Sequence, residues 1–345
     1  MRSPTRPSAD PVATVPADSP LRLHRNENPY GCSLLVQESL SIHDGFAQRP
    51  GPISQALLQA LGRHIGRPAS DLYLTNTPFE LLERVLRVCA EPGDGVIAYT
   101  PHTHQLTQAA RNAGLSVLAA PRVDGKVTAI QALRLRSATV NTIFLGTPND
   151  PTGDVVSPLE VLSMLRSGAT VIADETYAEF TEKGLGILVG EFPSFISLRS
   201  FAPWAGLWGI PVSYAVAASE TTARLDAVWP QVGLTAASRI AAGASLDDAA
   251  LLLNRVKHIR LERARLYRRL RKLNFVQPTP SNGPFMLCEV TRGEPEHIVE
   301  LLKGEGLLIH WCAEEGLPNH LRISVGTPHH TDTLITAMCR ISVRL

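Results

Sequence analysis

The feature that most restricts this chain is a regular exchange of helical periods and short apolar runs after residue 50. ISQALLQALGRHIG (53–66) is amphipathic at a helical period, DLYLT (71–75) is strand-like, FELLERVLRVCA (79–90) is helical and GVIAYT (95–100) is a buried strand. TIFLG (142–146), VIADE (171–175), FISLRS (195–200) and SYAVAAS (213–219) continue the rhythm. Strands that alternate with helices predict an α/β architecture, a mostly parallel sheet sandwiched by helices. From about residue 235 the pattern changes to a long helical stretch, NRVKHIRLERARLYRRLRKL, whose basic run reads as a solvated face. PFMLCEV, LLIHW and LRISVG then read as the strands of a smaller α+β domain. The expected organisation is a disordered leader (1–20, rich in Pro, Ser, Ala and Asp), an N-terminal arm (21–45), a large α/β domain (46–235) and a small α+β domain (236–345).

The formal net charge of +1 provides no field for nucleic acid, so a small-molecule ligand is expected. No run approaches 18 apolar residues, and the N-terminus lacks a basic-then-apolar signal pattern. Five scattered cysteines, Cys32, Cys89, Cys288, Cys312 and Cys339, contain no CxxC pair and suggest neither a disulfide framework nor a zinc knuckle. A cytoplasmic protein that meets no membrane is the expectation.

Several segments in order along the chain carry a resemblance. RNENPYG (25–31) resembles an ANENPYG pattern, TPNDPTG (147–153) an NPNNPTG pattern and ADETYAEF (173–180) a VDEAYxEF pattern. HLRISVGTP (320–328) resembles a C-terminal strand that carries a carboxylate-gripping arginine. Together they are similar to the histidinol-phosphate aminotransferase branch of the class I/II aminotransferases, which depend on pyridoxal phosphate (PLP). The resemblance implies fold type I, a homodimer with its site at the interface and an amino- or keto-acid ligand.

The same alignment removes the family's anchors. Against RTFSKAFGLAGLRVGYAIA, the segment RSFAPWAGLWGIPVSYAVA (199–217) puts Ala202 at the serine before the catalytic lysine, Pro203 at the lysine and Pro211 at a phosphate-binding arginine. Between Lys183 and Lys257 there is no lysine, so a register shift does not supply one. An imine to the cofactor needs an amine, and proline's tertiary amide nitrogen has none to offer. In the family's NGSDE turn this chain has Asn76-Thr77-Pro78, where the proline lacks both an N–H and a hydroxyl. Asp150 replaces the asparagine that meets the ring hydroxyl, Thr103 the stacking aromatic, and Arg49 a tyrosine that reaches the neighbouring subunit's phosphate. Three lost phosphate contacts at about 1.5 to 3 kcal/mol each come to roughly 4 to 9 kcal/mol, on the order of a thousandfold to a millionfold in affinity.

These substitutions predict an enzyme with no cofactor and no metal, repurposed to act by acid–base catalysis on a small amino-acid-like carboxylate, by cyclisation, elimination, condensation or isomerisation. Asp174 and Tyr177, at positions where the family meets the pyridine ring, and His102 and His104 are its candidate catalytic groups. Arg322 is the expected carboxylate clamp. Tyr30, Asn28, Asn149, Asp150, Trp204 and Arg49 are expected to line the ligand site. Trp204 and Trp208 would fill volume vacated by the cofactor, and His329 and His330 are expected to be exposed. Two alternatives remain open at this point: a non-catalytic binding or scaffold protein, and the PLP-dependent aminotransferase that the resemblance implies, which would draw a lysine from elsewhere, Lys183 being nearest in sequence.

Overall fold

A computed structural model describes residues 19–345 except 124, 183, 231 and 232. The expected leader (1–20) therefore lies almost wholly outside the described residues, as does Lys183. Five strands form one sheet and seven another. In chain order the strands are β1 (Leu21–Leu23), β2 (Leu72–Thr75), β3 (Gly95–Tyr99), β4 (Ser116–Ala120), β5 (Thr142–Gly146), β6 (Thr170–Asp174), β7 (Phe195–Ser200), β8 (Ser213–Val216), β9 (Val276–Pro278), β10 (Phe285–Val290), β11 (Leu307–Trp311) and β12 (His320–Ser324).

The larger sheet runs β2-β8-β7-β6-β5-β3-β4. Strands β4, β3, β5, β6 and β7 pair in parallel, while β8 runs antiparallel to both β7 and β2. The unbroken apolar runs noted in the sequence are its central strands: every residue of β3 and β5 is buried, as expected for a sheet covered on both faces. Side chains of Ser54, Thr77, Ser157 and Thr235 cap the N-termini of the helices Gln55–Ile65, Pro78–Cys89, Pro158–Arg166 and Ala236–Asp247. The smaller sheet, β1-β11-β12-β10-β9, recruits β1 from the N-terminal arm, parallel to β11. This long-range pairing sets Arg22 beside β11, and the chain that follows reaches β12, where the His24 carbonyl accepts from Arg322 and the Asn26 amide donates to Ser324 Oγ.

The basic helix Ala249–Leu270 corrects one expectation. Its arginines are not all solvated. Arg255 is buried, its guanidinium donating to the carbonyls of Gly31 and Cys32. Arg263 donates to the carbonyls of Phe180 and Gly283, and burial lowers its pKa to about 10. A guanidinium has five donors, which suits it to unpaired carbonyls of irregular segments. His330 likewise is half-buried, its Nδ1 accepting from the Thr327 amide in a capping box at the start of the helix Pro328–Ile341. No helix among the described residues is long and apolar enough to cross a membrane.

Candidate active site

Two connected hollows lie where the C-terminal ends of β5 and β6 face β12 and the arm. The inner one, about 90 Å³, is walled by Asp174, Thr176, Tyr177, Arg199, Pro78 and Trp208 among others. The outer cleft, about 800 Å³, shares Asp150, Tyr177, Trp208, Thr103 and Gln105 with it and adds Arg322, His310 and Glu315.

Asp150 is the centre of this site. Its carboxylate accepts from Arg322 Nη1 at 2.5 Å, from Asn26 Nδ2 at 3.0 Å and from the Tyr177 hydroxyl at 3.3 Å. Arg322 Nη2 also donates to the His24 carbonyl at 2.9 Å, whereas its Nε is buried without a hydrogen-bond partner. The arginine expected to clamp a ligand carboxylate thus holds a carboxylate of its own chain. Asn26 closes the network. It donates to the Tyr177 hydroxyl at 3.0 Å, and its Oδ1 accepts from Ser324 Oγ at 2.9 Å. Sequence reasoning missed Asn26, although a clue was present: asparagine is one of the few residues that tolerates a left-handed backbone, and Asn26 has φ 53°.

Asp174 ends β6 and receives the Thr176 amide at 3.0 Å. Burial raises its pKa, and the carboxylates of Asp150 and Glu175 add to the rise against the hydrogen bonds from Thr176. Tyr177 is buried and its phenol is pushed up, first by burial and then by Asp150. Beneath this floor Glu175, fully buried, accepts from Arg199 at 3.2 Å, from Ser197 Oγ at 2.6 Å and from the Leu185 amide at 2.8 Å.

Other expected site residues lie elsewhere. His102 does not line either hollow; its Nδ1 sits 3.1 Å from the Thr103 carbonyl. His104 begins the helix His104–Asn112, is exposed and reaches only the rim of the outer cleft. Thr103 between them is the cap of that helix. Asn28 donates to the carbonyls of Pro203 and Trp204 at 3.0 and 3.1 Å, tying the arm to the short helix Phe201–Ala205. Gly206 permits this closeness: its φ is 71°, and a Cβ there would lie 2.4 Å from the Gly31 carbonyl. Tyr30 packs half-buried against the core outside both hollows. Asn149 is buried and spends its amide on the Pro101 carbonyl and Thr152 Oγ. Arg49 is exposed and lines neither hollow. Trp204 does not fill the cleft: it is fully buried, stacked on His64 at 5.2 Å, and only Trp208 borders the hollows.

Comparison with known proteins places these residues in context. Residues 21–340 match the family described as "Aminotransferase class I and II". A histidinol-phosphate aminotransferase of Roseiflexus castenholzii is 30% identical over 338 residues, covering 95% of this chain and 91% of the relative. A histidinol-phosphate aminotransferase of Dehalococcoides mccartyi is 29% identical over 92% of this chain and 89% of the relative. The crystal structure of histidinol-phosphate aminotransferase from Sinorhizobium meliloti in complex with pyridoxal-5'-phosphate has a TM-score of 0.86 at 21% identity, covering 94% of this chain and 91% of that one. The architecture is the expected two-domain fold type I. The functional expectation is corrected by the same matches. A cofactor-free enzyme working by acid–base catalysis alone, set apart from the ordinary transaminases, is overturned by end-to-end similarity to aminotransferases, one of them solved with PLP. PLP is therefore the group against which this cleft has to be tested.

The fit is one-sided. Asp174 and Tyr177 offer an acid and a phenol at the strand end, suited to a ring nitrogen and a ring oxygen. The opposite side does not fit. Pro203 is buried and lines neither hollow, and Lys126, Lys257, Lys272 and Lys303, the described lysines, line neither as well. Where a phosphate would meet the N-terminus of the helix Pro78–Cys89, the helix satisfies itself: Thr77 Oγ accepts from the Glu80 amide, and Glu80 Oε2 accepts from the Asn76 amide at 3.1 Å. A carboxylate thus already stands at the end of the helix that favours an anion. The residues present do not fit a PLP fixed by an imine and a phosphate cup.

Proposed function

Because the chain belongs to the class I and II aminotransferase family, we propose that it handles a small amino- or keto-acid in the family's cleft, with Pro203 standing at the Schiff-base lysine position. A pyridoxal-type cofactor would then have no covalent bond to residue 203. Arg322 carries the ligand reading. It is largely buried, projects from β12 into the outer cleft and already grips a carboxylate, that of Asp150, so an incoming carboxylate competes for a preformed fork. Asp174 and Tyr177 orient the ligand from the floor, and Trp208 walls the passage between the two hollows. A homodimer with its site near the subunit boundary belongs to the same reading.

The test is to add PLP to the purified full chain, reduce with borohydride and map the peptides, alongside an amino-transfer assay from L-glutamate. The proposal expects no adduct within residues 199–217. PLP fixed to a lysine, with amino-group transfer at ordinary turnover, overturns the assignment of Pro203. Loss of glutamate binding in Arg322→Met supports the clamp, and unchanged binding refutes it.

A further inference from the structure

On the wall of the outer cleft, across the strand pair from Arg322, three side chains of different donor type converge. His310 is the penultimate residue of β11, and Cys312 is the first residue of the turn that follows it. That turn is closed by the Gly316 amide donating to the Ala313 carbonyl at 3.1 Å, and it carries Glu315 back beside His310. One ligand atom from each of His310, Cys312 and Glu315 lies within 4.8 Å of the other two. His310 Nε2 is 2.8 Å from Glu315 Oε1. The backbone around them is fixed: the Cys312 amide donates to the His320 carbonyl and the Cys312 carbonyl accepts from the Leu317 amide, both at 3.0 Å, and His310 pairs across the strands with Arg322.

One observation points to a missing partner: Glu315 Oε2 is buried with no hydrogen bond. Cys312 is fully buried, while His310 and Glu315 border the cleft. An ion entering there would meet nitrogen, sulfur and oxygen together.

We propose that His310 Nε2, Cys312 Sγ and a Glu315 carboxylate oxygen form a binding site for a zinc-type divalent cation, with its fourth position directed into the cleft. Tetrahedral coordination at the usual bond lengths needs an N···O edge of about 3.3 Å and S···N and S···O edges of about 3.5 Å. The 2.8 Å His310–Glu315 contact has to widen by about half an ångström, a small side-chain rotation. Binding replaces the thiol proton, which leaves to solvent, and the hydrogen bond between His310 and Glu315. A dication with one thiolate, one carboxylate and a neutral imidazole sums to zero charge. It can therefore sit across the strand pair from the Arg322 guanidinium without net repulsion. Three protein ligands and an open position describe a site that presents an exchangeable ligand, water or the carboxylate of a bound acid.

Cobalt(II) reports this directly and needs no PLP, so its outcome is separate from that of the lysine assignment. The chelator-treated, reduced full chain is titrated with Co²⁺. One equivalent is expected to give a thiolate-to-cobalt charge-transfer band and intense tetrahedral visible bands, both displaced by Zn²⁺. Cys312→Ser should abolish the charge-transfer band, Glu315→Gln should weaken Co²⁺ binding at least tenfold, and Cys339→Ser, at an exposed cysteine, should change neither. Far-UV circular dichroism verifies that each variant is folded, and Glu315→Gln decides if Cys312→Ser is not. Absence of a cobalt–thiolate band in the native chain, or its persistence in folded Cys312→Ser, overturns the proposal.

Discussion

Replacing Asp150 by asparagine separates two roles that the structure combines in one carboxylate. Asp150 is 18% exposed and Arg322 11%, so the pair is only weakly screened by solvent. A ligand carboxylate that takes the Arg322 fork has to displace this internal one. Removing the charge of residue 150 spares the ligand the loss of one charge-assisted hydrogen bond, about 1.5 to 3 kcal/mol. That corresponds to roughly a ten- to hundredfold gain in affinity for a small carboxylate. Without ligand the same change is harmful. Breaking a buried pair by removing one partner costs about 3 to 5 kcal/mol, and the asparagine carbonyl and the His24 carbonyl recover part of it. Asp150→Asn should therefore melt at lower temperature than the native chain when apo, and regain the difference in L-glutamate. Calorimetric titration with L-glutamate at low salt, paired with melting curves, reads both effects. Unchanged or weaker glutamate binding in the variant would refute the reasoning, because it would mean that Arg322 is not where the carboxylate sits.

Glu175→Ala strands the Arg199 guanidinium beneath the site, and urea denaturation should show a loss of about 3 to 5 kcal/mol. Burial pushes the Glu179 carboxyl up to about 7 from its ordinary 4.5, against the pull of Arg199. The folded chain thus binds this proton more tightly than the unfolded chain. Its contribution is complete below about pH 4.5 and is lost as pH rises through about 7, by at most about 3 kcal/mol. Urea midpoints measured from pH 5 to 8 should fall accordingly, and the fall should flatten in Glu179→Gln. Trp204→Ala empties a fully buried site and should cost about 3 to 5 kcal/mol. Trp204→Phe should cost clearly less in the same measurement, because the indole N–H that it removes has no partner.

The sequence by itself determined the strand and helix pattern, the fold type, and the places of Asp174 at the end of one strand and Arg322 within the last one. Those follow from local periodicity and from motifs whose backbone geometry travels with them. It also recorded, without ambiguity, that residue 203 is proline. The cleft was less legible. Asn28 and Asn149 looked like ligand contacts but spend their amides on backbone carbonyls, and Trp204 looked like a cleft filler but lies in the core. Asn26, two residues from Asn28, is the one that reaches Asp150. Neither local pattern nor residue type decides such cases, because the direction of a side chain depends on which distant carbonyl or carboxylate is left unpaired. Only the tertiary structure brought Asp150 to Arg322, 172 residues away in sequence. It also folded Glu315 back onto His310 and Cys312. Pairings of that kind are chosen by the cost of burying a charge or donor alone, and that cost is settled once the whole chain is packed.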